Sequence, residues 1–77
     1  MIIFTNHALL KLQQRRISKA AVTKTLKSPA HKFPSYSGRM VAYKKFDRTY
    51  LKVIYKLEGK DIVVITQHWE MKPRLRK

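Results

Sequence analysis

The chain has 77 residues, no cysteine, and 18 Lys and Arg against four Asp and Glu, for a formal net charge of +14. A chain of this size makes one small domain that buries roughly 60% of its unfolded surface, and without cysteine no disulfide or thiolate–zinc framework supports it. No apolar run approaches the ~20 residues of a membrane span, and "MIIFTNHALLKL" lacks the charged leader and small-residue cleavage site of a signal peptide, so no membrane role and a cytoplasmic setting are expected.

"MIIF" is a short apolar run and predicts an entering β-strand. Thr5 or Asn6 can cap the helix that follows, since either side chain accepts from free amide groups. Within "HALLKLQQRR", Ala8, Leu9 and Leu12 share an apolar stripe that the aliphatic stem of Arg16 continues. His7, Lys11 and Arg15 form a second stripe, because residues four apart lie nearly above one another. Ile17 closes this helix and Ser18 caps a second, "SKAAVTKTLKS", with Ala21, Val22, Thr25 and Leu26 on one side. Pro29 ends it by pushing Ser28 out of helical geometry.

From Lys32 the chemistry changes, and Pro34, Ser35, Ser37 and Gly38 predict a loop, with His31 as an exposed residue at its start. Three β-like runs follow, "RMVAYKKF", "TYLKVIYKL" and "DIVVITQH", joined by "DR" and "EGK", which are short enough for antiparallel hairpins. In the first, Arg39, Val41, Tyr43 and Lys45 share a face. In the second, Leu51, Val53, Tyr55 and Leu57 oppose Tyr50, Lys52, Ile54 and Lys56. The third is apolar on both faces from Ile62 to Ile65, which suits a central strand. "EMKPRLRK" reads as an extended arm. The expected fold is α+β, ordered β-α-α-β-β-β, with two N-terminal helices packed on one face of a twisted antiparallel sheet. Residues 1–70 form the domain, residues 71–77 a basic tail, and the other sheet face stays open.

The charge is unevenly spread. Residues 1–46 carry ten Lys and Arg and no acid, residues 47–70 carry four of each sign, and Lys72, Arg74, Arg76 and Lys77 follow. Such a chain attracts polyanions. Nucleic acid is the usual one, because each phosphate neutralised by Lys or Arg releases counterions. An acidic protein partner satisfies the same electrostatics.

The pattern T-x-H-A, then R-x-I-S, A-V-x-x-x-L-x-x-P, a Gly-Arg before an aromatic strand, and V-V-I-T resembles a family of small bacterial and archaeal domains. These are catalogued as domains of unknown function and placed beside the RelE/ParE toxin superfamily. The resemblance runs from Ile3 to about His68. It implies the RelE-like α+β architecture, a toxin–antitoxin pair and metal-independent endoribonuclease activity. RNA and an acidic antitoxin would be partners, with the ribosome as a further candidate. His7 and Arg15 match the signature histidine and arginine, Lys11 a frequent basic residue, Arg39 and Tyr43 a basic and an aromatic strand residue, and Thr66 the closing threonine. Arg16 stands where glycine is usual, which is expected to extend the first helix and tighten the hairpin. ParE-like relatives poison a protein instead of cutting RNA, so a shared fold does not secure the activity.

Metal-independent RNA cleavage needs a base for the 2′-hydroxyl, cations for the phosphorane and an acid for the departing 5′-oxygen. His7, Lys11, Arg15, Arg39, Tyr43, Thr66 and His68 are the candidates for this work. Arg16, Lys44, Lys45, Lys52, Arg74 and Arg76 are the candidates for holding nucleic acid. A scheme pairing His7 with His68 requires the helix start to meet the end of the last strand. His7 also reads as a helix-start residue that caps or packs, and His68 as a surface residue beside Trp69. Tyr36, Tyr43, Tyr50 and Tyr55 could stack on bases, although strand tyrosines are more often core, Tyr55 above all. Trp69 is either a core lid or a partner anchor. With four acids and no recognised ligand spacing, neither metal nor cofactor is expected. A noncatalytic binding module is the alternative, and a helix-turn-helix is disfavoured because the second helix offers only Thr23, Lys24 and Lys27 to read bases.

Overall fold

The computed structural model describes residues 1–73. Strand β1 (Ile2–Phe4) leads into helices α1 (Asn6–Arg15) and α2 (Lys19–Lys27). Strands β2 (His31–Pro34), β3 (Arg39–Phe46), β4 (Thr49–Glu58) and β5 (Asp61–Glu70) follow, with a short 3₁₀ turn at Tyr36–Gly38. Both predicted caps form: the Thr5 side chain accepts from the Ala8 amide at 3.1 Å and that of Ser18 from the Ala21 amide at 3.0 Å. Ser28, before Pro29, leaves helical geometry at φ −143°.

Arg16 does not extend α1. It takes the left-handed conformation at φ 53°, ψ 51°. Its amide donates to the Gln13 carbonyl at 3.4 Å and the Ile17 amide to that of Leu12 at 2.9 Å. This is the Schellman closure, in which the left-handed position favours glycine because a Cβ is crowded there. The tight hairpin therefore forms at Arg16 by ending the helix.

The sheet has five strands in the order β1-β5-β4-β3-β2. The three-strand meander is antiparallel as expected, and its hairpins turn at Asp47–Arg48 and Gly59–Lys60. Two expectations are corrected. The sheet is mixed, because β1 runs parallel to β5, pairing Ile2, Ile3 and Phe4 with Ile62, Val63 and Val64. Residues 31–34, expected as a loop, form an edge strand on β3, with His31 opposite Tyr43 and Phe33 opposite Val41. Pro34 is compatible with this place because an edge strand has one side on which no amide is needed.

Both helices lie on one face, α1 over β5 and β1, α2 over β4 and β3. The core joins Ala8, Leu12, Ile17 and Val22 to Ala42, Leu51, Val53, Tyr55 and Val64. Tyr55 is core as expected, and burial pushes its phenol pKa up. The apolar stripe of α1 centres on Ala8 and Leu12, while Leu9 is 40% exposed, so it is not part of the seam. Among the described residues no helix is long and apolar enough to cross a membrane.

Replacing Arg16 by glycine should relieve the left-handed backbone without removing a packed side chain. Urea unfolding is expected to show Arg16→Gly more stable than the parent by about 0.5–1 kcal/mol, and an unchanged or lowered midpoint would refute that account of the helix end.

Candidate functional site on the open sheet face

The last strand holds the feature that builds the site. Opposite β4, Ile54 pairs with Thr66 but Tyr55 pairs with Val64, so Ile65 is an extra, bulged residue. A bulge reverses the alternation of side chains beyond it. Ile62 and Val64 face the helices before it, and Gln67 and Trp69 do so after it. Thr66, His68 and Glu70 consequently face the other way, opposite Ile54, Lys52 and Tyr50.

Helix α1 holds that arrangement. Beyond Val64 the flank of β5 has no strand neighbour, since β1 ends at Phe4. There the Thr5 hydroxyl donates to the Ile65 carbonyl at 3.2 Å, and the Arg15 guanidinium to the Gln67 carbonyl at 2.8 Å. The buried Gln67 amide donates to the Ala8 carbonyl at 2.8 Å, and the Trp69 indole to the Arg15 carbonyl at 3.1 Å. The Gln67 Oε1 is buried without a hydrogen-bond partner among the described residues.

On the open face Glu70 is the hub. The Tyr43 hydroxyl donates to its Oε1 at 3.0 Å, His68 Nε2 lies 2.7 Å from its Oε2, and Lys52 Nζ lies 3.7 Å from the same oxygen. The Lys52 ammonium also stands 5.8 Å from the centre of the Tyr43 ring. Burial of the Glu70 carboxyl tends to raise its pKa. The hydrogen bonds from His68 and Tyr43 and the charges of Lys52 and His68 outweigh that, so the net shift is downward. The carboxylate is therefore ionised at neutrality and orients both the imidazole and the ammonium. His68 keeps 32% of its side chain exposed, so a ligand can reach it.

The expected site residues divide between two layers. Arg39, Tyr43, Lys45, Lys52, Thr66 and His68 share the open face, by the cross-strand pairs Arg39–Lys56, Tyr43–Lys52 and Lys45–Tyr50. His7, Lys11 and Arg15 belong to the helical layer. Arg15 is engaged by β5, the Lys11 ammonium donates to the Gln14 Oε1 at 3.0 Å, and His7 is exposed with no contact that joins it to His68. Lys44 points to the helix side and donates to the Ser28 carbonyl at 3.1 Å, while Arg16 stands exposed at the hairpin. Arg74 and Arg76 lie outside the described residues. Trp69 is fixed against α1 and meets Phe46 edge-on at 6.1 Å.

Sequence reasoning missed Glu70 by ending the last strand at His68 and reading "EMKPRLRK" as an extended arm, whereas β5 runs to Glu70. The available signal was the H-x-E spacing, which on a strand sets both side chains on one face. It also missed the pairing of Tyr50 with His31, whose rings lie 6.4 Å apart. Among the described residues no three His, Cys, Asp or Glu gather as a metal-binding group.

The described residues thus form a two-helix, five-strand α+β domain with one covered and one basic, open sheet face. The profile of a family described as Domain of unknown function (DUF4258) matches residues 4–67, and the chain belongs to that family. Neither a curated protein nor a solved structure matches it.

The Glu70 carboxyl titrates lower in the folded chain than in the unfolded one. Its stabilising contribution is present above the ordinary carboxylate range and is lost as pH falls through the folded value. Wild type should exceed Glu70→Gln by on the order of 1–2 kcal/mol at pH 7, the worth of a charged hydrogen-bond acceptor, and the gap should close in strong acid. Urea titrations at both pH values test this, and a gap independent of pH would contradict it.

Proposed function

We propose that the chain is a metal-independent endoribonuclease acting from the open sheet face, and the cytoplasmic toxin of a toxin–antitoxin pair of RelE-like kind. The observation that carries the reading is the 2.7 Å contact of His68 with the ionised Glu70, beside Lys52, on the uncovered face of a +14 chain. Imidazole is the side chain suited to proton transfer near neutrality. With Nε2–H directed at Glu70, the neutral ring has its Nδ1 lone pair available for the 2′-hydroxyl proton. The 2′-oxygen then bonds to phosphorus while Lys52 balances the added negative charge. The bond from phosphorus to the 5′-oxygen breaks, and the imidazolium, steadied by Glu70, returns the proton to that oxygen. The products are a 2′,3′-cyclic phosphate and a 5′-hydroxyl.

The resemblance to RelE/ParE-like domains supports the toxin setting, and the basic surface suits an acidic antitoxin, with the ribosome as a further partner. This reading moves the proton chemistry from His7 to His68 and gives Arg15 a positioning role through Gln67. A noncatalytic reading, as a nucleic-acid binder or a toxin that blocks a protein, is favoured by a different observation. Three donors already engage Glu70, and the described residues enclose no pocket.

Incubation of RNA with purified protein in EDTA separates these readings. Wild type should yield cyclic-phosphate ends, His68→Ala should lose about 10²–10⁴-fold in rate, and His7→Ala should retain activity. Loss in His7→Ala alone would transfer the chemistry to the helix edge. No cleavage by folded wild type, with salt-sensitive binding retained, would select the noncatalytic reading.

A further inference from the structure

The open face carries a row of rings that the proton chemistry does not use. Phe33 and Tyr43 lie 6.1 Å apart, Tyr43 and Tyr50 6.4 Å apart at 82°, and Tyr50 and His31 6.4 Å apart at 34°. These rings differ in availability. Tyr43 is fully buried and its hydroxyl is bound to Glu70. Tyr50 and His31 are half-exposed, and the Tyr50 hydroxyl makes no hydrogen bond among the described residues. The Tyr43 and Tyr50 rings stand nearly perpendicular, so Tyr43 does not lie flat over Tyr50.

The charges around this pair point to its ligand. Tyr50 is opposite Lys45 on β3, and Lys52 follows it on the same face. Two strand residues span about 7 Å, so a group stacked on Tyr50 lies one such step from Lys52 and His68. Of the acids near this face, Glu70 is held by three donors and Glu58, at the far hairpin, is 3.1 Å from Lys56. A half-exposed ring flanked by cations is what a nucleotide with a free base face requires: phosphates meet the lysines, and the base meets the ring. A base inside a duplex is covered by its neighbours and cannot do this.

We infer that Tyr50 and His31 form a base-stacking subsite for an unpaired nucleotide, so that the open face takes single-stranded nucleic acid in preference to duplex. Tyr50 supplies the principal stacking surface and His31 its wall. The inference rests on the proposed site for the placement of the scissile phosphate beside the stacked base, while the stacking itself does not require cleavage.

Uncleavable probes keep the two ideas separate. The binding of labelled single-stranded 2′-O-methyl RNA, and of a duplex of equal length, is measured by fluorescence anisotropy at low salt for wild type, Tyr50→Ala, Tyr50→Phe and His31→Ala. Tyr50→Ala should weaken single-strand binding by about 10- to 100-fold, His31→Ala less, and Tyr50→Phe hardly at all, with duplex binding unchanged throughout. Circular dichroism of each variant guards against unfolding, and Tyr50→Phe preserves the packing if Tyr50→Ala loses it. Equal losses on single strand and duplex, Tyr50→Phe as impaired as a folded Tyr50→Ala, no loss in either, or no single-strand binding by wild type would overturn the subsite. Intact stacking with no RNA cleavage in EDTA would instead count against the nuclease reading alone.

Discussion

Between Ile54 and Tyr55 the fourth strand meets the fifth with one residue too many, and Ile65 has no partner of its own. In an uninterrupted strand Ile62, Val64, Thr66, His68 and Glu70 would share a face, because strand side chains repeat every second residue. Val64 packs in the core with Leu12 and Val22. Without the bulge, His68 and Glu70 would turn to that same side, where an ionised carboxylate is costly to bury. With it, Gln67 and Trp69 turn inward to the helix and the ionisable pair turns outward. The open-face cluster therefore depends on a change of parity at Ile65. Helix α1 sustains that change by bonding the Ile65 and Gln67 carbonyls and the Gln67 and Trp69 side chains.

The electrostatics of the open face follow from the same placement. Arg39, Lys45, Lys52 and Lys56 project from neighbouring strands, and Arg39 stands directly opposite Lys56. Like charges in that position oppose the pairing of their strands. Glu58 offsets Lys56, and Glu70 offsets Lys52, at the two ends of β4. The remaining repulsion is a strain on a small core and an attraction for any polyanion that lies across the face. Any polyanion lying across the face would relieve the repulsion that the free chain bears, and its binding would then add to stability through the same lysines.

Much of this fold was legible because its signals are local. Thr5 and Ser18 announce the helix starts, Pro29 announces a stop, and the alternation in β3 and β4 separates their faces residue by residue. What was illegible is non-local or parity-breaking. Strand β2 is four residues long and ends on a proline, so its ladder with β3 leaves little trace in the sequence. The parallel pairing of β1 with β5 joins residues some sixty positions apart. The bulge falls in Ile62–Ile65, where every residue is apolar, so the reversal of faces passes without disturbing the pattern. Glu70 lies beyond the apolar part of that run, in a segment that resembles an extended arm, although its spacing from His68 is in plain view. Arg16 misleads differently: a residue that favours helix suggests continuation, whereas the backbone closure at Leu12 and Gln13 requires the left-handed turn.

The helical layer and the open face are not independent, because both are tied to one four-residue run of β5, Gln67 to Glu70. Arg15 grips the Gln67 carbonyl, and the next residue is His68. The Trp69 indole bonds the Arg15 carbonyl, and the next residue is Glu70. Gln67 is buried with one side-chain oxygen unpartnered among the described residues, a cost accepted at the contact that keeps α1 on the strand. Arg15 therefore bears on the open face without reaching it, by holding the backbone from which the imidazole and carboxylate project. The histidine at the start of α1 has no such link to the hub, and its side chain remains in the helical layer. The arginine of the helix edge and the histidine of the last strand are thus connected through backbone, which makes the former a support for the latter.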